Sequence, residues 1–271
     1  MLELIPTGGL CNKMRAMDSA VSFCATYDIP LKVYWVKDEE LINCRFRDIF
    51  QNIEGLELHE MDELPFRLRT GQLKNLYLPS LIRKLSQTGK IFTRLEIKDY
   101  INSDGDFKEL YDNHNKHLTI SSFSRFFESK AKYKIFKPLD LVQGMIKEET
   151  KTFDEFTIGI HIRRTDHRVS IENSPLNLFE QCIEEEISKN KKVNFYLASD
   201  CSDTKNHLVN KYGSIIRTDF KSGDRTTLKG MYRGITELYT LSKTTKIYCS
   251  FGSSYSTTAC ELSGIKQIYV K

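Results

Sequence analysis

The chain lacks the marks of several protein classes. No apolar run reaches the roughly 18 residues a membrane-spanning helix needs, and the N-terminal MLELIP reads as a strand without the basic flank and apolar core of a secretory signal. Net charge is only +4 on 271 residues, from 40 Lys and Arg against 36 Asp and Glu. It is spread along the chain, which argues against a dedicated nucleic-acid binder and permits an anionic small ligand. The seven cysteines (Cys11, Cys24, Cys44, Cys182, Cys201, Cys249, Cys260) are odd in number and include no CxxC pair. That pattern fits reduced thiols and a cytoplasmic location. A third glycine at Rossmann spacing is missing, as is the Gly-Lys-Ser/Thr of a P-loop.

What is present is enough to bury a sizeable core: 40% of the residues are apolar, and the length suits two medium domains or one large one. A strand, Leu2 to Pro6, a Thr7-Gly8-Gly9 turn, a helix from about Asn12 to Tyr27 and a strand from Leu31 to Val36 open the chain as an α/β layer. The Gly-Gly turn brings backbone N–H groups to a helix N-terminus suited to an anion, or is a tight turn needing glycine dihedrals. A helix is expected over Glu39 to Phe50 and a strand over Leu56 to Leu58. The basic stretch 65–94, with Arg67, Arg69, Lys74, Arg83, Lys84, Lys90 and Arg94, suits peripheral contact with an anionic membrane or an acidic acceptor, and equally the wet face of an insertion. His114 and His117, spaced HNKH, lack supporting ligands for a metal and read as surface histidines.

After a helix at Pro138 to Thr152, the polar patch Glu148 to Glu155 is the candidate domain boundary. Strands and helices then alternate: strand Phe156 to Ile162, helix Leu176 to Asn190, strand Val193 to Ala198, helix Asp203 to Tyr212, strand Ser214 to Arg217, helix Thr226 to Leu241, strand Ile247 to Ser250, helix Ser254 to Leu262 and strand Gln267 to Val270. This predicts a parallel, doubly wound sheet, which binds ligands beyond the carboxyl ends of its strands.

Three such ends carry polar loops. The first strand runs into Arg163, Arg164, Thr165, Asp166 and His167, and paired guanidinium forks match phosphate oxygens. Asp200 ends the second, either to accept from the N–H groups of a purine base or to cap the next helix. Ser253 and Ser254 stand at a helix start, as phosphate donors or as caps.

Together these loops resemble the three ordered motifs of the fucosyltransferase superfamily, most closely its α1,6-fucosyltransferase and NodZ type. The matching stretches are Gly159-Ile-His161-Ile-Arg163-Arg164-Thr165-Asp166, Phe195-Tyr-Leu-Ala-Ser-Asp200, and Leu228-Lys-Gly230 through Leu241-Ser242 to Ser250-Phe-Gly-Ser253-Ser254. The turn Gly8-Gly9-Leu10-Cys11-Asn12-Lys13-Met14-Arg15 is similar to the glycine loop that opens such chains, and places Gly9 and Asn12 among the donor-binding residues. The match covers about 155–270 well and 6–20 loosely.

The resemblance implies an α/β protein of GT-B type, two Rossmann-like domains facing a central cleft. An N-terminal domain over 1–140 would lie on the acceptor side, and a nucleotide-sugar-binding domain over 141–271 would follow. It implies an inverting transferase needing no metal or other cofactor, with GDP-fucose as donor and a glycan hydroxyl as acceptor. By matching positions Arg163 would hold the β-phosphate, Arg164 would support the diphosphate and the motif, His161 and Asp200 would lie at the guanosine end, and Ser253 and Ser254 would bind the diphosphate. Asp200-Cys-Ser-Asp203 has one residue too many for a DxD metal motif.

For the base that deprotonates the acceptor, Glu172 approximates the family's glutamate but lies one residue late, and His167 replaces its usual lysine. Asp166 and His167 are the alternatives to Glu172. Another nucleotide sugar on the same scaffold, or a noncatalytic nucleotide- or glycan-binding module, is the rival reading. A nicotinamide-dependent oxidoreductase is disfavoured by the missing GxGxxG.

Overall fold

The computed structural model describes residues 1–69, 91–165, 167–221 and 223–271. The chain divides into two compact units, Met1–Lys137 and Pro138–Lys271. The polar patch Glu148 to Glu155 therefore lies inside the second unit rather than at the division.

In the first unit β1 (Leu2–Pro6), β2 (Leu31–Val36), β3 (Glu57–Met61), β4 (Ile91–Phe92) and β5 (Leu118–Ser122) form a parallel sheet in the order β3-β2-β1-β5-β4. Every residue of the central strand β1 is buried, as a strand covered on both faces requires. Helix α1 (Leu10–Tyr27) buries Met14, Met17, Ala20 and Phe23. The Phe23 ring meets Phe107, Phe127 and Tyr111 edge-on at 4.9, 5.4 and 5.8 Å, tying α1 to α3 (Phe107–Asn113). Asp28 ends α1 in the left-handed region at φ 53, its N–H returning to the Cys24 carbonyl.

The helix expected over Glu39 to Phe50 does not form; a 3-10 turn at Phe46–Asp48 replaces it. The Asp38 carboxylate takes the N–H groups of Glu40 and Leu41 at 3.0 and 2.9 Å, and Asp38 pairs with Ile42 as an isolated bridge. Trp35 Nε1 holds the Cys44 carbonyl at 3.0 Å. Local side-chain bonds thus outcompete the helix ladder.

The basic stretch 65–94 lies mostly outside the described residues, and with it the membrane or acceptor contact expected there. Its described arginines are engaged within the unit. Arg67 donates to Tyr34 Oη at 2.8 Å, Arg69 pairs with Glu63 at 2.8 Å, and Arg94, at the start of α2 (Arg94–Asn102), lies 6.0 Å over the Phe123 ring. Nor is His114 a surface residue: it is half-buried against Phe92, with its Nδ1 2.8 Å from the Leu110 carbonyl. His117 is exposed, with Nε2 3.4 Å from the buried Glu3 carboxylate.

The second unit runs α4 (Asp140–Thr150), β6 (Thr157–Ile162), α5 (Arg168–Asn173), α6 (Leu176–Lys189), β7 (Asn194–Ser199), α7 (Ser202–Tyr212), β8 (Ile216–Arg217), α8 (Leu228–Leu241), β9 (Lys246–Ser250), α9 (Ser254–Ser263) and β10 (Lys266–Val270). Its sheet is also parallel, in the order β10-β9-β6-β7-β8, with β6 central and wholly buried. Ile158, Ile160, Ile162, Phe179, Ile183, Phe195, Leu197 and Leu208 form one core cluster, where each buried side chain stabilises by roughly 1.5–3 kcal/mol. Gly159 lets the end of α8 and β9 close on β6, since a Cβ there would lie 2.7 Å from Thr244 Oγ1 and 3.0 Å from Ile247 Cγ1. The short helix α5 was not anticipated; it occupies the back half of the charged loop that follows β6.

Candidate functional site

β6 and β9 are neighbours in the second sheet although β7 and β8 come between them in sequence. The chain winds outward in opposite directions from this pair, so the loops leaving their carboxyl ends diverge, which is where parallel sheets take ligands.

The loop after β6 is held from both sides. Arg163 N–H donates to Ser250 Oγ at the end of β9, 3.0 Å away. From the β7 side the Asp200 carboxylate accepts from Arg164 N–H at 2.7 Å, Thr165 Oγ1 at 2.7 Å and Thr165 N–H at 3.4 Å, with Arg163 Nε 4.0 Å off. Asp200 is thus not a helix cap: Cys201 is the N-cap residue of α7. The Arg164 guanidinium turns inward to the Ser174 carbonyl at 2.6 Å, and partial burial lowers its pKa. Ser174 Oγ in turn accepts from Phe251 N–H at 2.8 Å. The two arginines therefore have different surroundings, Arg164 bonded into the loop framework and Arg163 beside Asp200 at the strand end.

Beneath them His161, on β6, is buried and lies against Tyr255, ring centroids 4.9 Å apart and planes at 26°. Burial first, and then the neighbouring Arg163, push the imidazole down to about 4, against a smaller opposing effect of Asp200, so it is neutral near pH 7. Among the described residues its Nδ1 is buried without a hydrogen-bond partner. Ser253 is the N-cap residue of α9, yet its side chain makes no capping bond. The residue is only 4% exposed, and among the described residues its Oγ also has no partner. Ser254 begins the helix, whose first N–H groups have no intrahelical acceptor. An unpartnered buried hydroxyl costs about 1–3 kcal/mol, so Ser253 Oγ beside the open N–H groups of α9 makes this corner a candidate ligand site.

Asp166 lies outside the described residues. His167 is the N-cap residue of α5, its Nδ1 2.6 Å from Ser170 Oγ. Glu172, on the exposed side of α5, accepts from Arg168 Nε at 2.6 Å. Gly9 and Asn12 belong to the first unit. Gly9 is the N-cap residue of α1, and its carbonyl accepts from the N–H groups of Asn12 and Lys13 at 2.9 and 3.0 Å. Gly8, at φ +79, carries the left-handed turn, and a Cβ on it would meet Asn12 Nδ2 at 3.0 Å.

Ser250, Ser174, Ser170 and Tyr255 are the residues that sequence reasoning missed. Each is a single small polar or aromatic residue; strand pairing brings Ser250 and Tyr255 to the loop, and the turn of the short helix α5 brings Ser170 and Ser174. Lys13 was also missed. Buried, its Nζ donates to the Val36 carbonyl at 2.5 Å and lies 4.6 Å over the Trp35 ring; desolvation lowers its pKa to about 8 despite the favourable Asp38 charge. Among the described residues no group of three His, Cys, Asp or Glu side chains could hold a metal ion.

No family model matches the sequence, and no curated protein does. Solved structures do match by fold. NodZ α1,6-fucosyltransferase soaked with GDP-fucose aligns with a TM-score of 0.63 at 14% identity, over 96% of this chain and 92% of that one; a Bradyrhizobium NodZ structure gives the same score and identity. Arabidopsis thaliana FUT1 with GDP aligns at 0.58 and 16% identity, over 99% and 69%. POFUT1 with GDP aligns at 0.55 and 12% identity, over 99% and 97%. The chain has the fold of the fucosyltransferase superfamily, two parallel α/β units of the GT-B type.

Proposed function

We propose that the chain is a glycosyltransferase that moves a sugar from a nucleotide diphosphate to a glycan hydroxyl, the donor being GDP-fucose, with inversion and without a metal. The observation that carries this reading is the corner between β6 and β9. There Arg163 and Arg164 are held by Asp200 and Ser250, next to a helix N-terminus where Ser253 Oγ is buried and unpartnered. Breaking the bond to the anomeric carbon builds oxocarbenium character on the sugar and negative charge on the departing diphosphate. Arg163 would meet the β-phosphate, and the α9 N-terminus with Ser253 and Ser254 would supply further donors. Arg164, holding the Ser174 carbonyl, would fix the loop, and Asp200 would act through that same loop. These fixed positive groups can carry the leaving charge without a cation. Neutral His161, with Nδ1 unpartnered, would meet the guanosine end.

In the first unit the same anion-binding chemistry is proposed for the α1 N-terminus behind Gly9, with Asn12 supporting the turn. The acceptor proton would go to Glu172, which would exchange Arg168 for the acceptor hydroxyl. The solved structures of NodZ and POFUT1 with GDP-fucose or GDP support the choice of donor over another nucleotide sugar. Burial pushes the thiols of Cys24, Cys44 and Cys260 up to about 12. Inert thiols of this kind support a reducing, cytoplasmic setting.

The test is release of GDP from GDP-fucose, with and without glycan acceptors, against a panel of other sugar nucleotides. Arg163→Ala should abolish release, and a chelator should leave it intact. A wild type that binds GDP but releases it from no sugar nucleotide would be a noncatalytic binding module instead.

A further inference from the structure

The modest net charge of +4 conceals one concentration. After β5 the chain runs to α4 without helix or strand, and in 128–137 it carries Lys130, Lys132, Lys134 and Lys137 against a single acid, Glu128. The remainder of the chain is therefore close to neutral. All four lysines are exposed. Among the described residues none of them has a carboxylate within ion-pairing distance.

A lysine-rich loop is often no more than solvated surface, but this one is held in a single shape from beneath. The buried Asp18 of α1 takes Tyr133 N–H at 2.8 Å and Ser129 Oγ at 3.2 Å on one oxygen, and Arg125 Nη1 at 3.3 Å on the other. Ser19 Oγ accepts from the N–H groups of Phe126 and Phe127 at 2.9 and 2.7 Å and donates to the Phe127 carbonyl at 2.7 Å. Further along, Phe136 packs on Phe50 with ring centroids 5.3 Å apart, and the Lys137 carbonyl accepts from Gln51 N–H at 2.8 Å. Between these anchors Tyr133 sits at φ 60, in the left-handed region that a bulky residue seldom adopts. Its ring is wholly buried, with the hydroxyl accepting from Arg125 Nη2 at 3.0 Å. The fold thus keeps a strained residue in the middle of the row, one that sinks its own ring and leaves Lys132 and Lys134 in water on either side.

Exposed ammonium groups set in a row do not enclose one small anion. Each can meet a separate negative group, so their complement is an array of anions spread over a surface. A nucleic acid fits less well: it is met preferentially by arginine forks, the exposed cations of 128–137 are all lysines, and the near-neutral remainder offers a long polymer no second track. At the head of the loop Phe127 meets the ring of Tyr27 at 5.9 Å, and Tyr27 is 41% exposed. A ring partly in water near a row of lysines suits the headgroup layer of a membrane.

We propose that the braced loop 128–137 is a docking surface for anionic lipid headgroups, on which the chain rests peripherally through Lys130, Lys132, Lys134 and Lys137. The contact is electrostatic, with no covalent step. It uses no residue of the donor corner and stands independently of the proposed reaction.

The experiment is flotation of the full chain at low salt with vesicles of phosphatidylcholine alone and of an equal mixture of phosphatidylcholine and phosphatidylglycerol. Wild type is compared with a quadruple variant, Lys130→Gln, Lys132→Gln, Lys134→Gln and Lys137→Gln, and with arginine at the same positions. A control removes the same charge from dispersed, exposed lysines: Lys147→Gln, Lys191→Gln, Lys243→Gln and Lys266→Gln. Thermal unfolding checks that each variant folds. Wild type should float only with the mixture, and should be released in about 1 M salt, where charges are screened beyond about 3 Å. Each lysine near an anionic surface strengthens binding about fivefold, so the loop variant should bind about a hundredfold more weakly or worse. The arginine set and the dispersed control should stay within about fivefold of wild type. A wild type that does not float with the mixture, a loop variant that binds as well as wild type, or equal losses in the loop and dispersed variants would overturn the proposal. Capture by duplex DNA or hyaluronan through the same lysines, without vesicle binding, would overturn it in favour of a polyanion. None of these results bears on the donor corner, whose test remains GDP release.

Discussion

Replacing His161 by Phe tests the electrostatics of the site without any ligand. Phe keeps a flat ring against Tyr255 and removes the only titratable atoms at that position. In the unfolded chain the imidazole has its ordinary pKa of 6.5, and in the native protein burial and Arg163 push it down to about 4. Below pH 6.5 the unfolded chain therefore binds a proton that the native state refuses, and stability falls as the pH drops through 6.5 toward 4, with no further loss beneath. From these two values the loss at pH 5 relative to pH 7 is about 2 kcal/mol, rising to a limit of about 3.4 kcal/mol in stronger acid. The assay is urea unfolding of wild type and His161→Phe at pH 7 and pH 5. Other groups also contribute to the pH dependence, including Glu237 and Asp18, whose carboxyls burial raises. They do so in both proteins and cancel in the comparison. Wild type should lose about 2 kcal/mol more than the variant. A difference below about 0.5 kcal/mol would mean that His161 titrates as a solvated histidine, and would refute the reading of a buried, neutral imidazole.

Ser253→Ala should leave the unliganded protein as stable as wild type or slightly more so, because it removes an unpartnered buried hydroxyl, while weakening GDP binding about tenfold; a loss of stability with unchanged binding would make Ser253 a cap. Asp200→Ala strips two 2.7 Å hydrogen bonds from a partly exposed loop, and should cost about 1–2 kcal/mol in urea unfolding as well as GDP affinity measured by calorimetry. Gly159→Ala should destabilise by about 1–3 kcal/mol, since the new methyl would meet Thr244 and Ile247 in the packed layer. Glu172→Gln breaks an exposed pair of i,i+4 spacing and should change stability by less than about 0.5 kcal/mol. Its turnover with acceptor should fall by about a hundredfold or more if Glu172 takes the acceptor proton.

The elements that followed from periodicity were those whose sides face unlike environments. Helix α1, with Ala16, Ala20, Phe23 and Cys24 inward, and the alternation of strand and helix through the second unit could be read directly, because burial imposes a 3.6-residue stripe on helices and short apolar runs on central strands. Where local side-chain bonds decided the backbone, the same reasoning failed. Residues Glu39 to Phe50 bury Ile42, Cys44, Phe46, Ile49 and Phe50, enough apolar content to suggest a helix, but the Asp38 carboxylate and Trp35 bend them into turns. The short helix α5 escaped notice because six residues cannot show a periodic stripe.

The sequence by itself determined the chemistry available at the site: two adjacent guanidinium groups, an acid, and serines at a helix start, each at the carboxyl end of a strand whose apolar run placed it in a parallel sheet. Which of those groups hold their neighbours and which are left open was decided by the tertiary structure. The order β9-β6-β7 brings Ser250 and Asp200 to opposite sides of one loop. Within that loop Arg164 bonds the Ser174 carbonyl, and Ser253 and His161 are buried with atoms that have no hydrogen-bond partner among the described residues. Hydrogen bonds act over about 3 Å, so roles that depend on them are set by contacts between residues tens of positions apart, and only the folded chain brings those residues together.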